Sequence, residues 1–349
     1  MTGNNQVDSQ EAYSPMNTRN RFNLMRSGAP ALLAPIALLA LMALNGTVLA
    51  QGYPSKPARI VVPFPPSGPV DIAGRLIAQK LSESSGQTVI VDNRAGAGTI
   101  IGTEIVAKSA PDGHTLLIGT SQIVVNPSVY AKLPYNTLTD LAPVTQISSQ
   151  PYMMTAHPSL AAKNFKEMLA LAKAKPGALH CASAGIGSGN HLTCELLNKM
   201  AGTEISHVPY KGSVAAINDL LGGQVEMAFS NAMAVIGHVK ANKLQPLAMT
   251  SKQRVALLPD VPTVAESGFP GFEASVWFGV FVAGATPRDL IRRIAQEVGR
   301  ALRQPDVSKV FTSEGGEVIA STPEQFAEYV KSEMVKWTEV VKHAGIKAE

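Results

Sequence analysis

Two stretches of this chain have the residue types and spacing to hold a negative group without a charged side chain. One is Pro63-Phe64-Pro65-Pro66-Ser67-Gly68-Pro69-Val70-Asp71, and the other is Ser183-Ala184-Gly185-Ile186-Gly187-Ser188-Gly189-Asn190-His191-Leu192. Each follows a short apolar run and opens a helical pattern. In an open α/β sheet a ligand sits off the carboxyl ends of the strands. The unpaired N–H groups of a helix's first turn attract an anion there. In the first stretch the prolines stiffen the loop, Gly68 lets the backbone approach a ligand, and Asp71 in the first turn can cap or brace the loop. Taken alone it also reads as an ordinary stiff strand-to-helix turn. In the second stretch small residues and glycines expose backbone amides, and Ser188 and Asn190 add side-chain hydrogen bonds. The two starts lie about 120 residues apart. Facing each other across a cleft, they would grip one carboxylate-bearing ligand.

Other chemistries fit less well. The second stretch lacks the Gly-Lys-Ser/Thr of a nucleotide-binding loop. It also misses the Gly-x-Ser-x-Gly elbow of a serine hydrolase, because Ile186 stands two before Ser188. A hydrolase using Ser188 or His191 would need a base and an orienting acid in reach. No acid is evident beside His191, which fits a capping or packing role better. Two cysteines with a single histidine between them do not make a zinc site. The formal charge is +4, from 30 basic and 26 acidic residues, and no Lys/Arg cluster suggests a nucleic-acid face. No metal, cofactor or nucleic acid is expected.

The elements that must position these loops are legible as alternation. Strand runs at 59–62, 89–91 and 115–118 are separated by helical patterns at 70–84 and 99–109. In the first helix Ile72, Leu76, Ile77 and Leu81 are expected on the buried face. Strand and helix alternate again from Tyr152 to Thr250. Such alternation predicts parallel α/β sheets. The last third differs, with one extended apolar segment at 272–282 containing Trp277, then amphipathic helices at 287–303 and 322–344. A crossover near Pro151 and a return near Phe272 predict an α/β two-lobed clamp with two crossover strands. Its first lobe is discontinuous (51–150 plus 273–349), and its second spans 151–272. Trp277 is expected to pack the hinge rather than touch ligand.

Residues 1–50 carry Arg19, Arg21 and Arg26, an apolar run at 30–44, and Val48 and Ala50 before Gln51. A basic flank, a short apolar stretch and small residues at the break predict a signal peptide cleaved after Ala50, hence export. The polar lead before Arg19 is long, and Met16 and Met25 are alternative starts. Cys181 and Cys194, 13 apart, fit either a bridge or two buried thiols.

With these features in hand, the chain from Tyr53 to Glu349 resembles the substrate-binding proteins of tripartite tricarboxylate transporters, also called Bug receptors. The matching stretches are Pro63 to Gly68 with Asp71, Asp92-Asn93-Arg94-Ala95-Gly96-Ala97-Gly98 with Gly102, and Pro111-Asp112-Gly113-His114-Thr115-Leu116-Leu117. They continue with the 183–192 loop, His207-Val208-Pro209-Tyr210-Lys211-Gly212, Leu258-Pro259-Asp260-Val261-Pro262-Thr263, and Trp337 with Ala344-Gly345-Ile346. The resemblance implies a type II periplasmic Venus-flytrap fold that binds a small carboxylate through backbone amides. It also implies a monomer serving a two-subunit membrane permease or, alternatively, a sensor kinase. Carried over by position, Phe64, Pro65, Ser67, Gly68 and Asp71 form one half of the site. Ser183, Gly187, Ser188, Asn190 and His191 form the other. Thr120, Ser121, Ser230 and Asn231 end strands that face the cleft. Tyr210 and Asp219 could organise waters, Asp219 reading equally as a solvated helix residue. The family usually has Gly-Gly where Ser67-Gly68 stands. His114 replaces a common Tyr and Cys181 a frequent aromatic, both read as packing differences.

Overall fold

The computed structural model describes residues 53–347 apart from 257, 314 and 315. The chain divides into two units, Met1–Gln51 and Gly52–Glu349. The leader expected at 1–50 therefore lies outside the described residues.

β1 (Ala58–Val62) is apolar on both faces because both faces are covered. Ile60 and Val62 enter one hydrophobic cluster and Val61 another. α1 (Pro69–Ser85) starts with proline in its first turn and stops at Gly86, whose φ is 70°. Val70, Ala73, Ile77 and Leu81 form its buried stripe. Ile72, expected on that stripe, is 41% exposed. Position 72 stands just over half a turn from position 74, on the opposite side of the helix.

β2 (Val89–Asn93) and β3 (Thr115–Thr120) flank β1 in parallel, with Ile60 opposite Val91 and Leu116. Between them a 3₁₀ turn (Ala97–Thr99) leads into α2 (Ile100–Ala107), and α3 (Gln122–Val129) follows β3. β4 (Leu141–Ala156) comes next, then α4 (Phe165–Ala174), β5 (His180–Ser183), α5 (Gly189–Ala201), β6 (Ser206–Pro209) and α6 (Ser213–Leu221). The chain continues with β7 (Met227–Asn231), α7 (Ala232–Lys240), β8 (Gln245–Met249) and β9 (Ser275–Ala283). It ends with α8 (Arg288–Leu302), α9 (Pro305–Ser313), β10 (Glu317–Val318) and α10 (Pro323–Ala344).

The strand order is β2-β1-β3-β9-β4-β7-β5-β6, with β8 and β10 also paired to β4. The outer strands are parallel as expected, while every pairing of β4 is antiparallel. β4 serves both halves. Leu141 to Pro151 pairs with β9, and Tyr152 to Ala156 pairs with β7 and β8. Just before β9, Ala274 donates its N–H to Thr250 O after β8, at 3.2 Å. The result is a two-lobed α/β fold with a mixed sheet and two crossing strands. Sequence periodicity identified only the end of β4, because Pro143, Gln146, Ser148 and Gln150 read as loop. Strand neighbours on both sides, and register shifts after Pro143 and Gln146, accommodate them.

α10 is held to the crossing strand by a buried carboxylate. It opens with a capping box between Thr322 and Gln325. Glu333, 3% exposed, accepts the indole N–H of Trp277 on β9 at 3.2 Å and that of Trp337 at 2.9 Å. It also pairs with Lys336. Trp277 is fully buried and stands opposite Ser149 of β4, so it packs at the crossing, as expected. Glu333→Leu would leave two buried donors without an acceptor and is expected to cost about 2 to 4 kcal/mol in denaturant unfolding. Glu333→Gln keeps a carbonyl acceptor and should cost about half as much. Two variants both within about 0.5 kcal/mol of wild type would rule the staple out.

Candidate functional site

The first loop is braced from below. Asp71, 2% exposed, accepts the Ser67 N–H at 2.9 Å and Arg75 Nε at 2.9 Å on one oxygen, and Asn93 Nδ2 at 2.9 Å on the other. Asn93 also donates to Phe64 O at 3.1 Å. Burial alone would raise the Asp71 carboxyl, but Arg75, the Ser67 amide and Asn93 outweigh it and hold it below the usual carboxylate range. The carboxylate is thus a support for the loop. Ser67 sits at φ 71°, the left-handed region that favours glycine, at a cost of about 1 kcal/mol. Serine at this position therefore carries a backbone strain that glycine would not. Prolines 65, 66 and 69 carry no N–H. Among the described residues, the N–H groups of Gly68, Val70 and Asp71 are left without a partner.

The second loop is tied more densely. Ser183, 1% exposed, accepts the Gly185 N–H at 3.1 Å and shares a 2.5 Å hydrogen bond with His207 Nε2. Ser188 caps α5 by accepting the His191 N–H at 3.4 Å, and its hydroxyl donates to Gly185 O at 2.7 Å. The Gly187 N–H donates to His191 Nδ1 at 3.0 Å. Nδ1 must then be unprotonated, which places the ring proton on Nε2, 3.7 Å from Glu195 Oε1. An acid therefore does stand beside His191, one helical turn on, contrary to expectation. The rings of His191 and His207 stack at 3.6 Å. Burial pushes both imidazoles down to about 4, His207 adding to the effect on His191. The N–H groups of Ile186, Gly189 and Asn190 have no partner among the described residues.

Neighbouring elements fix this loop in place. A Cβ at Gly189 would fall 2.0 Å from Tyr152 Oη, so α5 starts directly against the crossing strand β4. Asn190 Nδ2 donates to Phe229 O on β7 at 2.8 Å. Ser230 is buried, and Asn231 caps α7 and donates to Gln150 Oε1 of β4 at 2.6 Å. Cys181 on β5 and Cys194 on α5 form a disulfide with Cα atoms 6.7 Å apart. Of the two readings the sequence left open for this pair, the bridge is the one formed, so Cys181 is a covalent tie and more than a packing difference.

A cavity of about 470 Å³ opens on this loop. Gly187 and Ser188 line it, as do Gly185 and Ile186. Its opposite wall is Gly98, Gln122, Asn126 and Tyr130, with Val125, Val129 and Lys347 completing it. Phe64, Pro65, Ser67, Gly68 and Asp71 do not line this cavity, so the two loops do not share it in this structure. Thr120, Ser121, Ser183, Asn190, His191, Ser230 and Asn231 are not among its lining residues either. Thr120 Oγ1 contacts Gln122 at 3.3 Å, and Asn126 Nδ2 donates to Gly98 O at 2.9 Å. Gln122 and Tyr130 were missed because one opens and the other caps α3, a helix too short and irregular to stand out, with Pro127 inside it.

Loops held from within, a cleft between lobes and neutral donors at helix starts describe a solute-binding receptor. Ser188 gives its hydroxyl to Gly185 O instead of a base, so it is not poised as a nucleophile. Among the described residues no three His, Cys, Asp or Glu side chains converge to hold a metal. Residues 73–346 match the family described as "Tripartite tricarboxylate transporter family receptor", and this chain belongs to that family. Protein BugT of Bordetella pertussis strain Tohama I is 38% identical over 319 residues, spanning 90% of this chain and 98% of that protein. The R. palustris protein Rpa4515, solved with adipate, is 34% identical with a TM-score of 0.70, covering 84% of this chain and 99% of that one. MatC (Rpa3494) of Rhodopseudomonas palustris, solved with bound malate, is 30% identical with a TM-score of 0.66, covering 83% and 100%. These neighbours are binding proteins, and this chain is a receptor and not an enzyme.

Two predictions follow from the loop ties. His191 and His207 titrate near 4 when folded and near 6.5 when unfolded. Above 6.5 both states are neutral and stability is full. As pH falls from 6.5 to 4 the unfolded chain takes up protons the folded chain refuses, so stability drops, by on the order of 3 kcal/mol for His191. Unfolding midpoints of wild type and His191→Gln across that window should diverge, and superimposable profiles would sink the assignment. Replacing both Cys181 and Cys194 by Ser should lower stability by about 3 kcal/mol, read by denaturant unfolding.

Proposed function

We propose that the mature chain is an exported, monomeric receptor that captures a small organic carboxylate between its lobes and delivers it to a two-subunit permease of the tripartite tricarboxylate type. The proposed lobes are 51–150 with 273–349, and 151–272. The proposed export signal is 1–50, cleaved after Ala50, which places the receptor in the periplasm. The observation that carries the reading is the pair of helix starts with uncommitted N–H groups, Gly68, Val70 and Asp71 on one side and Ile186, Gly189 and Asn190 on the other. Neutral donors aligned with a helix axis suit a carboxylate. Adipate and malate, seen in two relatives, are carboxylates of this size.

Closure supplies what the present cavity lacks. Rotation about β4 and β9 brings the 64–68 loop toward the 183–191 loop, so that a ligand bridges both only in the closed state and shifts the population toward it. In this reading Phe64, Pro65, Ser67 and Gly68 meet the ligand from one lobe. Gly187, Ser188 and Asn190 meet it from the other, with Thr120, Ser121, Ser230 and Asn231 at the cleft floor. Asp71, Ser183 and His191 position the backbone. Excluding water strengthens the amide contacts.

A thermal-shift screen of organic acids on the mature protein should find one or more that raise the melting temperature by mass action, their methyl esters being inert. The best acid should also reduce the radius of gyration in solution scattering. Asp71→Asn, which weakens the brace, should lower affinity about tenfold. A bound acid that leaves the scattering profile unchanged would defeat the closure mechanism, and a receptor that ignores acids and binds neutral solutes would defeat the reading itself.

A further inference from the structure

We infer that the last helix, α10, is a brace between the lobes, and that its ion pair with α5, Lys199 to Glu339, holds the receptor open and so sets its affinity without touching ligand. The inference rests on the cleft closure proposed above and adds the contact that opposes it. Neighbouring residues of α10 bond to opposite halves of the molecule. Thr338 shares a 2.7 Å hydrogen bond with Ser128 of α3, in the proposed first lobe. Glu339 accepts Lys199 Nζ of α5, in the proposed second lobe, at 2.5 Å. The apolar core follows the same path. One cluster joins Val124 and Val125 of α3 to Leu196 and Leu197 of α5, with Trp337 and Val340 of α10 among its members. The helix thus packs on the second lobe as well as on the first.

The contacts along α10 differ in how easily they give. At Glu333 the helix is stapled to β9 through buried indoles. Glu339 lies six residues further on, about 9 Å along the axis. A rotation on the order of 20° about the staple carries Lys199 about 3 Å, which breaks a direct ion pair. The packing beside the pair is loose. A cavity of about 450 Å³ opens between Leu196 and Met200 of α5 and Val335 and Val340 of α10. Close-packed helices resist sliding, and these two are not close-packed there. The pair forms in an arrangement where the two site loops share no cavity, and it therefore favours that open arrangement. Ligand must supply the difference. A weaker pair leaves a larger closed population and tighter binding of whatever solute the cleft takes.

The test measures an interlobe distance in the mature protein with paired spin labels at Ala95→Cys and Val214→Cys. Both positions are exposed; Ala95 follows β2, and Val214 opens α6 after β6. Cys181 and Cys194 are bridged, so the introduced thiols take the labels. Glu339→Lys and Lys199→Glu each set like charges side by side and should raise the short-distance population about fivefold without ligand. The double variant Lys199→Glu/Glu339→Lys restores the pair and should return to the wild-type distribution. Lys199 and Glu339 are 32% and 62% exposed, so none of these variants should lose its fold. Adipate titrated into the same samples should bind about fivefold tighter to each single variant than to the wild type. Equal ligand-free distances in the wild type and both single variants overturn this inference, and so does a double variant that keeps the shift of the singles. Neither result touches the carboxylate reading. Adipate that binds with no change of distance in any sample overturns the closure proposed above and the brace with it. Where adipate does not bind, the ligand-free distances still decide the inference.

Discussion

A binding site made of backbone amides works only if the backbone cannot relax away from its ligand. The two loops of the proposed site are braced by the same interaction. In each, an N–H within the loop donates to a side chain four residues further on, the third residue of the following helix. Ser67 donates to Asp71, and Gly187 donates to His191. The acceptors differ in charge and in how they are kept in place. Asp71 is held ionised by Arg75 and Asn93, and His191 is held neutral by burial against His207. Both turn a flexible approach to a helix into a fixed one. The amides that remain uncommitted at each helix start are therefore presented in a defined direction, at little entropic cost on binding.

The rest of the fold transmits that rigidity to the crossing strands. The second loop touches β4 through Gly189 against Tyr152, and Asn231 reaches Gln150 on the same strand. On the other side Glu333 gathers the indoles of Trp277 and Trp337, joining β9 to the last helix. The disulfide ties β5 to α5 directly beneath the loop. These contacts tie the site loops and the last helix to the two strands that cross between the halves of the sheet. Just beyond the last helix Ile346 anchors the chain, and Lys347 lines the cavity.

The family relationship and the local physics agree on what kind of molecule this is, and they reach it by different routes. Similarity across most of the chain makes it a receptor. The hydrogen-bond pattern leaves uncommitted N–H groups at both helix starts, with no arginine in either loop. Serine at position 67 shows the tolerance of the scheme. The left-handed backbone is retained, and the brace from Asp71 offsets the strain of a side chain there.

The amino-acid sequence by itself determined the alternation of strands and helices, the two loops, the crossing near Pro151 and the buried role of Trp277. Those features rest on local periodicity, on prolines and glycines, and on backbone geometry that neighbours in sequence dictate. Glu195 beside His191 was also legible, at four residues on one helix, and was overlooked. Only the tertiary structure decided the rest. The first half of β4 is a strand because β9 and β10 pair with it, although Pro143, Thr145, Gln146 and Ser148 interrupt its apolar pattern. Ile72 faces outward because the buried stripe follows the sheet it covers. The cavity opposite the second loop is lined by Gly98, by Gln122 and Tyr130 at the two ends of α3, and by Lys347, which come from three places along the chain. Their meeting depends on long-range packing, and no spacing in the sequence encodes it.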